Sequence, residues 1–213
     1  MALWSREALK QGAVMVAPML LGSVIRSGDV AVRLTEVEAY EGFRDPGSHA
    51  YRGPTPRTQI MFGQAGFAYV YFSYGMHHCL NVVCGRTGTA SAVLLRGGEV
   101  IDGLEVARNR RNAGRSQGHP DRDLARGPAR LASALGVDLH HKGVDLCDPA
   151  SIVQLEMGSP SRSRRVETGP RVGVSGPGGD GTTYPWRFWL GGDPTVSTYR
   201  AAKSRLPRSR QEH

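Results

Sequence analysis

Glu36, Glu38, Tyr40, Asp45, His49, Tyr69, Tyr71 and Tyr74 fall within residues 35–81, together with the turn Arg52-Gly53-Pro54-Thr55-Pro56-Arg57. Carboxylates and a histidine can move protons or ligate a hard cation. Flat aromatic side chains can stack on a base or another ring. The run from Val30 to Tyr40 alternates with period two, as a half-buried strand does. Val30, Val32 and Leu34 share its apolar face, and counting on by twos puts Glu36, Glu38 and Tyr40 there too. A free buried carboxylate is costly. Each glutamate therefore either has a partner or faces a pocket where a carboxylate does chemistry.

Gly66 to Val83 reads as a hairpin, with aromatic and β-branched residues in both arms and Gly75 at the reversal, so that Tyr74 projects at or beside the turn. Residues 41–62 between strand and hairpin have the Gly, Pro and charge of a loop, and a loop of that length in a compact domain is usually functional. Arg52, Arg57 and the backbone of Gly53 are candidates there for meeting phosphates.

These residues carry a resemblance. Glu38-Ala39-Tyr40, Asp45, Ser48-His49, Thr55-Pro56-Arg57, Met61-Phe62, Tyr69-Val70-Tyr71, Tyr74-Gly75-Met76-His77 and Cys79-Leu80-Asn81 are similar to the alkyladenine (3-methyladenine) DNA glycosylase family. The similarity continues through Leu94-Leu95-Arg96, Arg126 to Leu131, Arg171 to Val174 and Trp186-Arg187-Phe188, in order along nearly the whole chain. It implies a monofunctional enzyme that flips damaged purines out of duplex DNA and hydrolyses their glycosidic bond. Its substrates would be drawn from 3-methyladenine, 7-methylguanine, hypoxanthine and ethenoadenine. By the same resemblance Glu38 is the general base and Arg96 helps hold the water and a flanking phosphate. Tyr40, His49 and Tyr71 hold the flipped base, Asn81 excludes the 2-amino group of guanine, and Tyr74 intercalates. Met76 and Arg130, with Arg52 and Arg57, are the expected DNA-backbone contacts, and Glu36 is assigned an ion-paired structural role. Thr58 departs from the family, which often has asparagine there, and the spacer from His49 to Thr55 is short.

Composition agrees with an acidic partner. The formal charge is +8 and the pI about 9.9. Lysine occurs only at Lys10, Lys142 and Lys203, so nearly all of the 27 cationic side chains are arginines, which suit bidentate phosphate contacts. An arginine-rich proteome would give the same ratio. The lysine gap also favours hydrolysis, since glycosylases that cut the backbone use an amine nucleophile. No cofactor or metal is expected, and there is no P-loop or dinucleotide fingerprint. Cys79, Cys84 and Cys147 match no zinc spacing and suit a reducing cytosol. The longest apolar run, Ala13 to Leu21, is interrupted by Pro18 and too short for a membrane span, and no signal peptide is expected. Localisation is expected to be cytoplasmic, at the nucleoid if the source is bacterial, and the protein a monomer.

The elements that must position these residues are a helix over 4–21, a turn at 27–29, the Glu-bearing strand, the hairpin, a strand over 90–96 and a basic helix over 100–111. A polar loop at 112–122 precedes a helix after Pro128 that Gly136 closes, and strands follow at 152–155, 171–174 and 186–190. Residues 161–165 and 176–183 read as mobile loops. The expected fold is α+β, one compact domain over residues 1–200 with a mostly antiparallel curved sheet and flanking helices, followed by a basic, disordered tail at 201–213. Two other functions remain open. One is a metal-dependent nuclease using Glu36, Glu38, Asp45 and His49, and the other a non-catalytic nucleic-acid-binding module.

Overall fold

Two short helices open the chain, α1 (Arg6–Leu9) and α2 (Ala13–Leu20), in place of the single helix expected. Ser5 caps the first by accepting from the Ala8 amide. The break lies at Gly12, which is extended and precedes α2, and Pro18 is accommodated inside α2, whose last residue is Leu20. The strands β1 (Val24–Ser27) and β2 (Val30–Tyr40) then pair across a turn in which Gly28 has φ +56°. The expected hairpin forms from β3 (Ala68–Ser73) and β4 (His77–Val83). It is followed by β5 (Ala92–Asp102), the helices α3 (Leu104–Asn112) and α4 (Pro128–Leu135), and the strands β6 (Val153–Glu156), β7 (Val166–Gly169) and β8 (Arg187–Leu190). The computed structural model describes residues 2–73, 75–113, 117–158 and 164–202. Tyr74, residues 161–163 of the expected mobile loop and 203–213 of the expected tail lie outside them.

The fold is a single compact α+β domain built on one antiparallel, unclosed sheet with the order β3-β4-β5-β2-β1-β6. Strand β2 is long enough to serve two neighbours on one edge. Its first half pairs with β1, while Glu36 to Glu38 pair with β8, which also carries β7. One face of the sheet holds the main core, where Val30, Val32, Leu34, Val37 and Ala39 meet residues of α2 and α4. A smaller cluster of Ala50, Met61, Tyr69, Val83, Ala90 and Ala92 packs beneath the loop over residues 41–62.

Three expectations need correction. The strand expected over 90–96 runs on to Asp102, so Val100 and Ile101 belong to β5 and the basic helix starts only at Leu104. Gly97 and Gly98 lie inside β5 and allow close approach. A Cβ at Gly98 would collide with the carbonyl oxygen of Arg33 and with Val32, and one at Gly97 would lie 3.1 Å from the Thr195 carbonyl oxygen. Residues 171–174 form no strand, because Arg171 spends its contacts on the interior, and β1 and β7 were not foreseen. By contrast α4 begins at Pro128 and ends on left-handed Gly136, φ +69°, as expected.

Gly98→Ala is expected to destabilise the fold by about 1–3 kcal/mol through overpacking of β5 on β2. Urea denaturation monitored by circular dichroism measures this, and an unchanged midpoint would contradict the close-approach account.

Candidate functional site

The site begins with a slip in register between β2 and β5. Leu34 pairs with Gly98, Glu36 with Gly97 and Val37 with Leu95, so Thr35 is an extra residue on one strand and Arg96 an extra residue on the other. The first bulge reverses the side-chain phase. Val37 and Ala39 therefore take over the apolar face from Val30, Val32 and Leu34, and Glu36 and Glu38 turn to the opposite face. The expectation that the glutamates share the apolar face is thus overturned by one inserted residue.

On that opposite face a row of cross-strand partners runs Tyr69, Asn81, Leu94, Glu38, Arg187 over five strands. Above it lies a cavity of about 620 Å³ lined by Tyr40, His49, Tyr71, Asn81, Leu94 and Arg96, among others. This volume falls within the range of about 300–1,000 Å³ common to small-molecule sites. Glu38 is fully buried beneath the cavity wall. Its Oε2 accepts from the Tyr40 hydroxyl at 2.8 Å and lies 3.4 Å from Arg96 Nη1, and its Oε1 accepts from the Val172 amide at 2.7 Å. The carboxylate is held, and its one long contact is to the arginine that reaches the cavity.

Glu36 anchors this arrangement from below. It accepts from Arg187 Nε at 2.7 Å, Arg96 Nε at 3.0 Å, and the amide and hydroxyl of Ser197. Burial pushes its carboxyl pKa up, but Arg96, Arg187 and Ser197 outweigh that and leave it below the usual value. Burial likewise works against the Arg96 charge, and Glu38 and Glu36 more than restore it. The Tyr40 hydroxyl is pushed well above its ordinary pKa by burial and by Glu38, so it acts as a donor.

The opposite wall is aromatic. His49 meets the Tyr71 ring edge-on at 4.7 Å, and Tyr69 and Tyr71 lie 5.4 Å apart. Arg57, from the loop, sits 5.0 Å over the Tyr71 ring and places Nη2 3.4 Å from His49 Nε2. A guanidinium only donates, so Nε2 must accept, and Nδ1 carries the proton toward the Tyr69 hydroxyl 3.3 Å away. Burial and then Arg57 lower the His49 pKa to about 4, although an exposed edge at the cavity mouth keeps it in touch with water.

Arg171 was not foreseen as part of the site. Its guanidinium is buried, pairs with both oxygens of Asp45 at 2.5 and 2.6 Å, and donates to the carbonyls of Ala39 and Gly178. It also lies 4.6 Å from the Tyr40 ring centroid. One residue thus supports Tyr40, ties down the loop that carries His49, and is followed directly by the amide that holds Glu38. Only its apolar surroundings in Gly169-Pro170-Arg171-Val172-Gly173 hint at this in the sequence.

The remaining expected residues are more scattered. Arg57 lines the cavity, Arg52 is exposed on the same loop, and Met76 is 68% exposed beside Gly75. Arg130 stands on α4 with its guanidinium 3.8 Å from Asp123. Glu36 and Asp45, two of the four nuclease candidates, are committed to arginines. Among the described residues no three His, Cys, Asp or Glu side chains are grouped to hold a metal ion.

The sequence matches the model of a family described as methylpurine-DNA glycosylase (MPG) over residues 7–194. A protein of Streptomyces avermitilis, provisionally named 3-methyladenine DNA glycosylase, is 52% identical over 210 residues, covering 96% of this chain and 95% of the relative. Proteins of the same provisional name from Leifsonia xyli and Nocardia farcinica are 52% and 50% identical, covering 92% and 98% of this chain and 92% and 100% of their own lengths.

Arg171→Leu is expected to cost about 3–5 kcal/mol, because Asp45 is left buried without its partner. Chemical denaturation reads this, and a loss under about 1 kcal/mol would show that the pair is not the strut described. His49 is expected to titrate near pH 4 in the folded protein. The unfolded chain takes up that proton near pH 6.5, so stability should decline as pH falls from about 6.5 to about 4. Imidazole NMR shifts measure the titration, and a midpoint near 6.5 would contradict the desolvation of the ring by its burial and, with it, the Arg57 contact.

Proposed function

Since the chain belongs to the methylpurine-DNA glycosylase family, we propose that it flips alkylated and deaminated purines, of the 3-methyladenine and hypoxanthine kinds, from duplex DNA into the 620 Å³ cavity and hydrolyses their glycosidic bond. Membership makes it a DNA N-glycosylase, a hydrolase of DNA repair. The observation that carries the finer reading is the position of Glu38, buried beneath the wall of a cavity that Arg96, Tyr40, His49 and Tyr71 line, with Arg96 reaching from one to the other.

In this reading a water held on the cavity side of the Glu38–Arg96 contact attacks C1′ of the flipped nucleotide. Glu38 orients it and accepts its proton, while the negative carboxylate steadies positive charge growing on the sugar. The bond between C1′ and the base breaks with its electron pair going to the base. A cationic alkylated purine leaves neutral, whereas hypoxanthine needs a proton as it goes. Arg96 is only 6% exposed and already serves three acceptors, which suits it to a water more than to a phosphate. Tyr40, Tyr71 and a neutral His49 stack on and hydrogen-bond the base, and stacking is worth about 1–3 kcal/mol per base. Neutral His49 spares a cationic purine the repulsion of a second charge beside Arg57. Asn81 is fixed by donating from Nδ2 to the Tyr69 carbonyl at 2.9 Å, and its rigid position in the row beside Leu94 crowds the 2-amino group of guanine.

Tyr74 fills the gap in the duplex, with Met76, Arg52, Arg57 and Arg130 on the DNA backbone. No lysine is among the residues lining the cavity, which supports the monofunctional route without an amine adduct. The enzyme acts as a monomer in the cytoplasm, on the nucleoid in a bacterium. Among the described residues no helix is long and apolar enough to cross a membrane.

Duplexes carrying one 3-methyladenine or one hypoxanthine are expected to lose that base to the protein in the presence of a chelator, with no strand break before alkali and no adduct trapped by borohydride. Borohydride trapping would overturn the monofunctional reading, and release of neither base would overturn the substrate class. Asn81→Gly is expected to raise release of normal guanine relative to hypoxanthine by about tenfold, in line with the 1–3 kcal/mol that one small group contributes to discrimination. An unchanged ratio would remove Asn81 from selectivity.

A further inference from the structure

A second concavity, of about 670 Å³, lies at the end of the β3–β4 hairpin against α4, lined by His77, His78, His119, Arg111, Arg130 and Ser133, with Met76 at its edge. Its place on the sheet is set by register. Tyr71 pairs with Cys79 and Tyr69 with Asn81 on the face that holds the cavity, whereas Phe72 pairs with His78 on the face where Val70 and Leu80 meet the core. Helix α4 contributes Leu131, Ala134 and Leu135 to that same core and Arg130 and Ser133 to the groove, while its first residue, Pro128, and Phe72 line the cavity, so the two hollows adjoin at the hairpin end. The hairpin end thus stands between two hollows of different chemistry.

The first hollow is walled by tyrosines and suits a base. Among the described residues the second is lined by no tyrosine, phenylalanine or tryptophan and instead presents arginine, histidine and serine donors. Among the described lining residues its one carboxylate is Asp138, which accepts from the amide of His140 at 2.9 Å and lies 3.0 Å from His141 Nδ1. Asp123 sits behind Arg130 and also serves Arg126 at 3.3 Å. Arg111 is oriented by the Leu124 carbonyl at 3.1 Å and holds His119 at 3.4 Å. Cationic and hydroxyl donors without a stacking platform are the chemistry of a sugar-phosphate backbone.

We infer that this groove receives the backbone of the DNA strand opposite the lesion. The inference rests on the glycosylase reading, because only a duplex whose lesion enters the cavity sets its second strand against the hollow that adjoins it at the hairpin end. The cavity takes the flipped base, the hairpin end occupies the gap, and the groove grips the strand that has lost its pairing partner.

The test compares affinities by fluorescence anisotropy for a hypoxanthine-bearing strand, alone and annealed to its complement, using wild type, Arg130→Glu and Ser133→Glu. Ser133→Glu adds a carboxylate at a half-exposed position of α4, so it reports on the groove even if Arg130→Glu disturbs the Asp123 contact. Both variants are expected to bind the duplex at least tenfold more weakly and the single strand within twofold of wild type. The slope of log affinity against log salt on duplex should fall by about 0.9 for each phosphate that the variant no longer neutralises. Equal weakening on duplex and single strand would assign the groove to the lesion strand and overturn the inference, as would undiminished duplex binding by both variants. If wild type released no base from the duplex, the glycosylase reading would fail on its own, and the binding comparison would still decide the groove.

Discussion

The structure depends on a buried charge cluster that would be untenable without its geometry. Glu36 and Glu38 lie fully inside the protein, and the guanidinium of Arg96 reaches both. Removing any one member leaves an uncompensated charge away from water, at a cost far above that of an exposed ion pair. Three devices make the cluster possible. Two opposed bulges place Arg96 level with Glu36, Gly97 and Gly98 let the strands close around the pair, and β8 supplies Arg187 from the other edge of β2.

That cluster is asymmetric, and the asymmetry separates scaffold from site. Glu36 is saturated, with two guanidiniums and both donors of Ser197. Glu38 has a tyrosine, an amide and a single long contact to Arg96, so its oxygens remain the less committed of the two. The Arg171 and Asp45 pair works at the other end, fixing Tyr40 and the His49 loop around the same carboxylate. A rigid inner layer of ion pairs therefore supports an outer layer of rings, the kind of preorganisation that the proposed chemistry requires.

Much of this was legible in the sequence, for physical reasons particular to each element. Strand β2 announced itself by alternation, the hairpin by aromatics around Gly75, and α4 by Pro128 and Gly136, because each signal is local. Residues Tyr40, His49, Tyr71, Asn81 and Arg96, singled out together with Glu38, line one cavity, with Glu38 in the layer beneath it. The bulge at Thr35 was not foreseen, although the move of apolar residues from Val30, Val32 and Leu34 to Val37 and Ala39 marks the change of phase, because counting by twos assumes the register that pairing with β5 shifts. The strand expected over 90–96 is too short, since β5 continues through Gly97-Gly98, whose use for close approach is visible only once the neighbouring strand is in place. Arg171 falls in an expected strand and in the resemblance but not in the expected site, because its partner Asp45 lies 126 positions away.

The central claim is that Glu38 activates the attacking water while Arg96 and Glu36 hold the scaffold around it. The most direct measurement is single-turnover base release by Glu38→Gln, with duplex affinity measured in parallel. The substitution keeps the size of the side chain and removes its charge and basicity. The account predicts release slowed by on the order of 10²-fold or more, as for loss of a general base, with duplex affinity within a few-fold of wild type. Release at the wild-type rate by a folded Glu38→Gln protein would contradict it.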